Sequence, residues 1–96
     1  MTHPMKREMA ESLAVDALTW LAGNEELLPV FLGSTGMSAS DIRSRAQQPE
    51  FLGAVLDFVM MDDRWVQDFC ETKNHPFDAP MRARAALPGG DLPHWT

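Results

Sequence analysis

The chain has 96 residues, 45% hydrophobic and 23% charged, a balance that fits one ordered globular domain and excludes an intrinsically disordered segment. Eight Lys and Arg against fourteen Asp and Glu give a formal charge of -6, which disfavours nucleic acid and anionic membrane surfaces, because binding to both grows with the Lys and Arg placed against them. The one cysteine, Cys70, allows no internal disulfide and fits a reducing cytoplasm.

Met1-Thr2-His3-Pro4-Met5-Lys6-Arg7 leads into amphipathic sequence without the apolar run of a secretory signal. Met9, Leu13, Ala17 and Leu21 then recur every four residues, with Leu18 and Trp20 beside them, predicting an amphipathic helix over about 5–22. Gly23 and Asn24 end it, and Asn24 is placed to cap a second helix with Glu25 and Glu26 at its positive end. Pro29 falls in the first turns of that helix, and Leu27, Leu28, Phe31 and Leu32 form its buried face. It stops near Thr35, with Gly36 as its left-handed cap. Ser38 and Asp41 have the spacing of a capping box and open a short third helix with Ile42 and Ala46 as its apolar line.

Pro49 suits a first helical position, with Glu50 beside it, and launches the segment Phe51-Leu52-Gly53-Ala54-Val55-Leu56-Asp57-Phe58-Val59-Met60-Met61. This run is apolar almost all round, so as a helix it belongs at the centre of the molecule, and it is too short to span a bilayer. Asp62 or Asp63 caps the next helix, which puts Trp65, Val66, Phe69 and Cys70 on one face and turns Asp68 and Glu71 outward. Asn74-His75-Pro76 breaks the chain, and a last helix starts at Pro76 or after Asp78 and runs through Leu87 to the stop Pro88-Gly89-Gly90. No stretch sustains a period of two, so no sheet is expected. The expected fold is all-α, a compact bundle of five or six short helices with irregular crossing angles. It forms a single domain over 1–96, with 88–96 as a C-terminal tail. Trp20, Phe31, Phe51, Phe58, Trp65 and Phe69 are its expected aromatic core, and Trp65→Ala should cost about 3–5 kcal/mol if that position is core.

Four stretches together resemble a known family. They are Ala17-Leu18-Thr19-Trp20-Leu21-Ala22, Phe31-Leu32-Gly33-Ser34-Thr35-Gly36-Met37-Ser38, Phe51-Leu52-Gly53-Ala54-Val55-Leu56-Asp57-Phe58, and Ala83-Arg84-Ala85-Ala86-Leu87-Pro88-Gly89-Gly90. On these the chain resembles DUF3572, small alphaproteobacterial proteins of unknown function. In the second stretch Gly33 and Ser34 replace the family's usual Ala and Leu, loosening the helix end while keeping the Gly36 turn. The resemblance implies a bacterial cytoplasmic home and the same class of fold. It brings no catalytic residue with it.

Few residues suggest chemistry. Gly33-Ser34-Thr35-Gly36 lacks the following Lys and preceding strand of a phosphate loop and reads as a helix stop. Cys70 falls on the apolar line of Trp65, Val66 and Phe69, which makes it a buried structural thiol rather than the partner of His75 in catalysis. One cysteine with His3, His75 and His94 matches no zinc spacing, and no cofactor is expected. Asp57 lies inside the apolar run, so it either reaches the solvent edge or pairs with Arg43 or Arg84; a carboxylate pair for proton exchange or a divalent ion is the sharper alternative.

The function this supports is noncovalent protein recognition by a small adaptor. Glu50, Asp57, Asp62, Asp63, Asp68 and Glu71, with Arg64 the only base among them, supply an acidic face that steers a partner. Seven methionines are compatible with a soft, adaptable core or contact surface, but plain gap-filling is the favoured use. Met60, Met61, Trp65 and Trp95 are the expected partner contacts; Trp95, in the tail, either packs back over the helices or anchors in a partner. The partner is another protein, and a homodimer is compatible with the same face. The alternative is nucleic-acid-associated regulation through Arg43, Arg45, Arg82 and Arg84, and a small enzyme ranks third.

Overall fold

A computed structural model describes residues 5–87. Among them, six helices follow one another: α1 (Arg7–Ala22), α2 (Leu27–Thr35), α3 (Ala39–Arg45), α4 (Pro49–Val59), α5 (Asp63–Lys73) and α6 (Ala79–Ala85). Their ends are fixed by local chemistry. Asn24 Oδ1 accepts from the Glu26 and Leu27 N–H groups, each at 3.1 Å, and so satisfies two orphan donors at the start of α2. Gly36 closes α2 at φ 74, where a side chain would be strained. The Ser38–Asp41 capping box is formed in both directions at α3, and Pro49 occupies the first turn of α4. Of the two aspartates before α5, Asp62 is the cap: its Oδ1 accepts from the Arg64 N–H at 2.9 Å. Asn74, at φ 60, ends α5, and the next residue, His75, donates its N–H back to Cys70 O.

The six short helices pack irregularly into a compact all-α bundle around a continuous apolar core. Its Cα radius of gyration is 12.8 Å, close to the roughly 13 Å of a folded chain of 100 residues. Helix α4 buries Phe51, Leu52, Val55, Leu56, Phe58 and Val59, and shows solvent only the stripe Glu50, Ala54 and Asp57. It does not hold the centre by itself. Helix α1 packs on α2, α4, α5 and α6, so the middle of the molecule is the pair α1–α4.

The line expected on α1 also shifts. Ala10, Leu13, Ala14, Ala17, Leu18 and Leu21 are buried, whereas Met9 is 60% exposed. A strict step of four residues drifts about 40° per step around a helix of 3.6 residues per turn, so three steps carry Met9 off the buried face of Leu21.

Aromatic rings link the helices. Phe31 of α2 meets Phe51 and Phe58 of α4 edge to face at 6.1 and 5.2 Å, and Trp20 of α1 meets Phe69 of α5 at 6.0 Å. The Trp20 indole N–H donates to Asp68 Oδ2 at 2.8 Å, so Asp68, though exposed, also ties α5 to α1. Trp65 is stacked on Phe58 at 5.0 Å but only half-buried, so the full cost of emptying a core site does not apply to it. No helix among the described residues is long and apolar enough to cross a membrane.

Candidate functional site

The end of α4, the first turns of α5 and the start of α6 meet around a shallow groove of about 230 Å³. Met60, Val66, Phe77, Pro80 and Met81 line it, with Asp63 and Asp78 among the lining residues. A well-packed monomer rarely leaves large apolar side chains together in solvent. Here Phe77 is 58% exposed, Met81 63%, and Met61, next to Met60, 75%.

Of the residues expected as contacts, Met60 is half-buried and lines the groove, Met61, the next residue, is exposed but is not among the residues that line it, and Trp65 is held half-buried against Phe58. Trp95 lies outside the described residues. Val66, Phe77, Pro80 and Met81 complete the groove without having been expected there. Phe77 follows the break at Asn74-His75-Pro76 and precedes α6, and no pattern in the sequence marked it as a groove residue.

The chemically suggestive residues are each committed to structure. Asp57 reaches the solvent edge and accepts from Arg84 Nε at 2.8 Å, which selects Arg84 over Arg43 as its partner. Cys70 is buried and its Sγ contacts Pro76 O at 3.3 Å. Desolvation, with a smaller push from the Asp78 carboxylate, raises the thiol above its ordinary value of 9.0, the opposite of what a nucleophile needs. The His75 ring hydrogen-bonds Asp16 at 3.0 Å and lies against Phe69, joining the α5–α6 connection to α1. The hydroxyls of Ser34 and Thr35 donate back to Phe31 O, as side chains of a helix end do, and Gly33 lies within α2. Among the described residues, no group of three His, Cys, Asp or Glu side chains is placed to hold a metal ion; His3 and His94 lie outside them.

Two further hollows flank α1. One, of about 570 Å³, is open and lined by Trp20, Asn24, Glu25, Glu26, Asp68 and Lys73 among others. The other, of about 340 Å³, is lined by Met5, Met9, Leu13, His75, Ala79 and Arg82 among others. The first holds no nucleophile–base pair. The second is also lined by Ser12 beside His75, whose ring is bonded to Asp16, but among the described residues no hydrogen bond joins Ser12 to His75, so the hydroxyl is not activated.

The family model described as "Protein of unknown function (DUF3572)" matches residues 7–90. The chain belongs to the DUF3572 family. The match spans all six helices, so the architecture above is an instance of DUF3572. No curated protein and no solved structure matches the chain.

Proposed function

We propose that this DUF3572 protein is a protein-recognition module that acts by noncovalent binding through the groove between α5 and α6, with Met60, Met61, Trp65 and Trp95 as partner contacts. The observation behind this reading is a groove built of Met60, Val66 and Pro80 with the exposed apolar side chains Phe77 and Met81 in its lining; Met61, also exposed, follows Met60 in the chain. Unbranched methionines adapt to differently shaped partners, and aromatic side chains beside them act as anchors. The arginines of α6 give less support to nucleic acid, because Arg84 is half-buried and bonded to Asp57. A bacterial, alphaproteobacterial cytoplasm is the proposed setting: a free, buried Cys70 suits a reducing compartment. The chain acts as one domain over 1–96, with 88–96 as its tail.

Capture from native bacterial extract tests the reading, with the wild type and a Met61→Ser/Met81→Ser variant of equal stability as parallel baits. The wild type is expected to retain a discrete protein that the variant loses. Sedimentation of the purified chain separates a second copy from a foreign partner: a dimer that the same variant dissolves makes the partner another copy. Identical background on both baits from a monomeric protein would refute a recognition role for this groove.

A further inference from the structure

We infer that the α5–α6 groove takes a basic amphipathic helix, seating one large apolar side chain between Phe77 and Met81 while flanking Lys or Arg side chains reach Asp63 and Asp78. The inference rests on the recognition reading above and names the chemistry of its partner. Size comes first. At about 230 Å³ the groove is smaller than the roughly 300–1,000 Å³ of pockets that enclose whole small molecules, so it fits a side-chain anchor. Methionine-bearing grooves receive the apolar stripe of a helix in this way.

Charge then selects among helices. Asp63 and Asp78 stand among the apolar lining, and neither takes part in an ion pair among the described residues. Arg64, the only base between Glu50 and Glu71, is folded onto Asp62 through Nε–Oδ1 at 3.2 Å and Nη2–Oδ2 at 2.9 Å, so its charge is already matched. Arg82 of α6 lines the hollow on the α1 side instead. The groove is thus apolar with unmatched negative charge at its edge, inside a chain of net charge -6. A cationic helix is steered toward such a site, and acidic or phosphate-bearing partners are repelled.

The test uses the full chain and two labelled synthetic helices with the same leucine stripe, one carrying Lys and one Glu on its polar face, titrated by fluorescence anisotropy. The Leu/Lys helix is expected to bind saturably, and more weakly as salt rises, and the Leu/Glu helix to bind at least about tenfold more weakly. Asp63→Lys/Asp78→Lys is expected to weaken the Leu/Lys helix by about tenfold or more. Glu25→Lys/Glu26→Lys, an equal change of net charge at the open hollow beside Trp20 and Lys73 and outside the groove, is expected to leave binding unchanged. The Asp78 side chain makes no capping bond to α6, and Asp62 rather than Asp63 caps α5. Asp63→Asn/Asp78→Asn serves as the milder pair if the lysines disturb folding, with Phe77→Ser testing the apolar anchor by the same loss. Equal weakening by both charge-reversed pairs, or equal binding of both helices, would overturn the inference. Capture of an acidic partner that still depends on Met61 and Met81 would overturn it too, while leaving the recognition reading standing.

Discussion

Asp57 shows what one residue discloses and what it conceals. An ionisable group inside an apolar run needs a partner or an exit to water, so a pairing with an arginine was legible. Its supporting residue was not. Gly53 stands one helical turn before Asp57 on the same side of α4, and a Cβ at Gly53 would lie 3.0 Å from Arg84 Nη1 and 3.1 Å from its Cζ. The guanidinium therefore lies across the glycine to reach Asp57, a tertiary juxtaposition that no local pattern encodes. Glycine inside a helix costs about 0.5–1 kcal/mol relative to alanine. The partly exposed ion pair returns no more than about 1 kcal/mol. In an Arg84→Ala background, Gly53→Ala is expected to recover the propensity gain in full. In the wild type it should recover at least about 0.5 kcal/mol less, because the added methyl displaces the guanidinium. Denaturant unfolding of the four proteins measures this coupling, and equal effects of Gly53→Ala in both backgrounds would remove the argument.

At the scale of the element, the helix ends were the most legible part of the chain, since a cap is a local hydrogen bond between residues close in sequence. Gly36, the Ser38–Asp41 box and Pro49 fall where the sequence puts them. The choice between Asp62 and Asp63 needed the backbone. These caps also make part of the fold's stability depend on pH in acid. Asp41 is held below its ordinary value of 3.8 by the Ser38 backbone N–H first, then the Ser38 hydroxyl and the Arg45 charge. Asp62 is held below the same value by the Arg64 side chain first, then the Arg64 backbone N–H. A carboxylate whose native value lies below its unfolded one favours the folded state when ionised. Its contribution is complete above about 3.8 and disappears as pH falls through the lower native value. The double variant Asp41→Asn/Asp62→Asn keeps an oxygen acceptor at both caps but carries no charge. It is expected to be less stable than the wild type at neutral pH and to approach it in strong acid. Thermal melts followed by circular dichroism across this range provide the comparison; a stability gap independent of pH would mean that the two ionised caps contribute nothing.

For the whole molecule, periodicity told which side of each helix is apolar, but not which apolar side is covered. Phe31 and Phe77 make the difference concrete. Both are phenylalanines near helices, yet Phe31 is 1% exposed between Phe51 and Phe58, and Phe77 is 58% exposed at the groove. Coverage depends on how α1, α4 and α6 assemble, through contacts distant in sequence. The exposed Phe77 and Met81 lie in one stretch at the start of α6, while Met60 and Met61 follow α4 in another, and only the second stretch was foreseen as a contact surface. Stability measurements separate the two kinds of apolar residue. Phe31→Ala empties a packed site and is expected to cost about 3–5 kcal/mol. Phe77→Ala removes a side chain that water already reaches, and its cost should stay within about 0.5 kcal/mol. Urea unfolding should show the first as a large fall in midpoint and the second as almost none, with the slope unchanged in both. A loss at Phe77 comparable with that at Phe31 would mean that the free chain covers this ring itself, leaving the groove with no anchor to offer a partner.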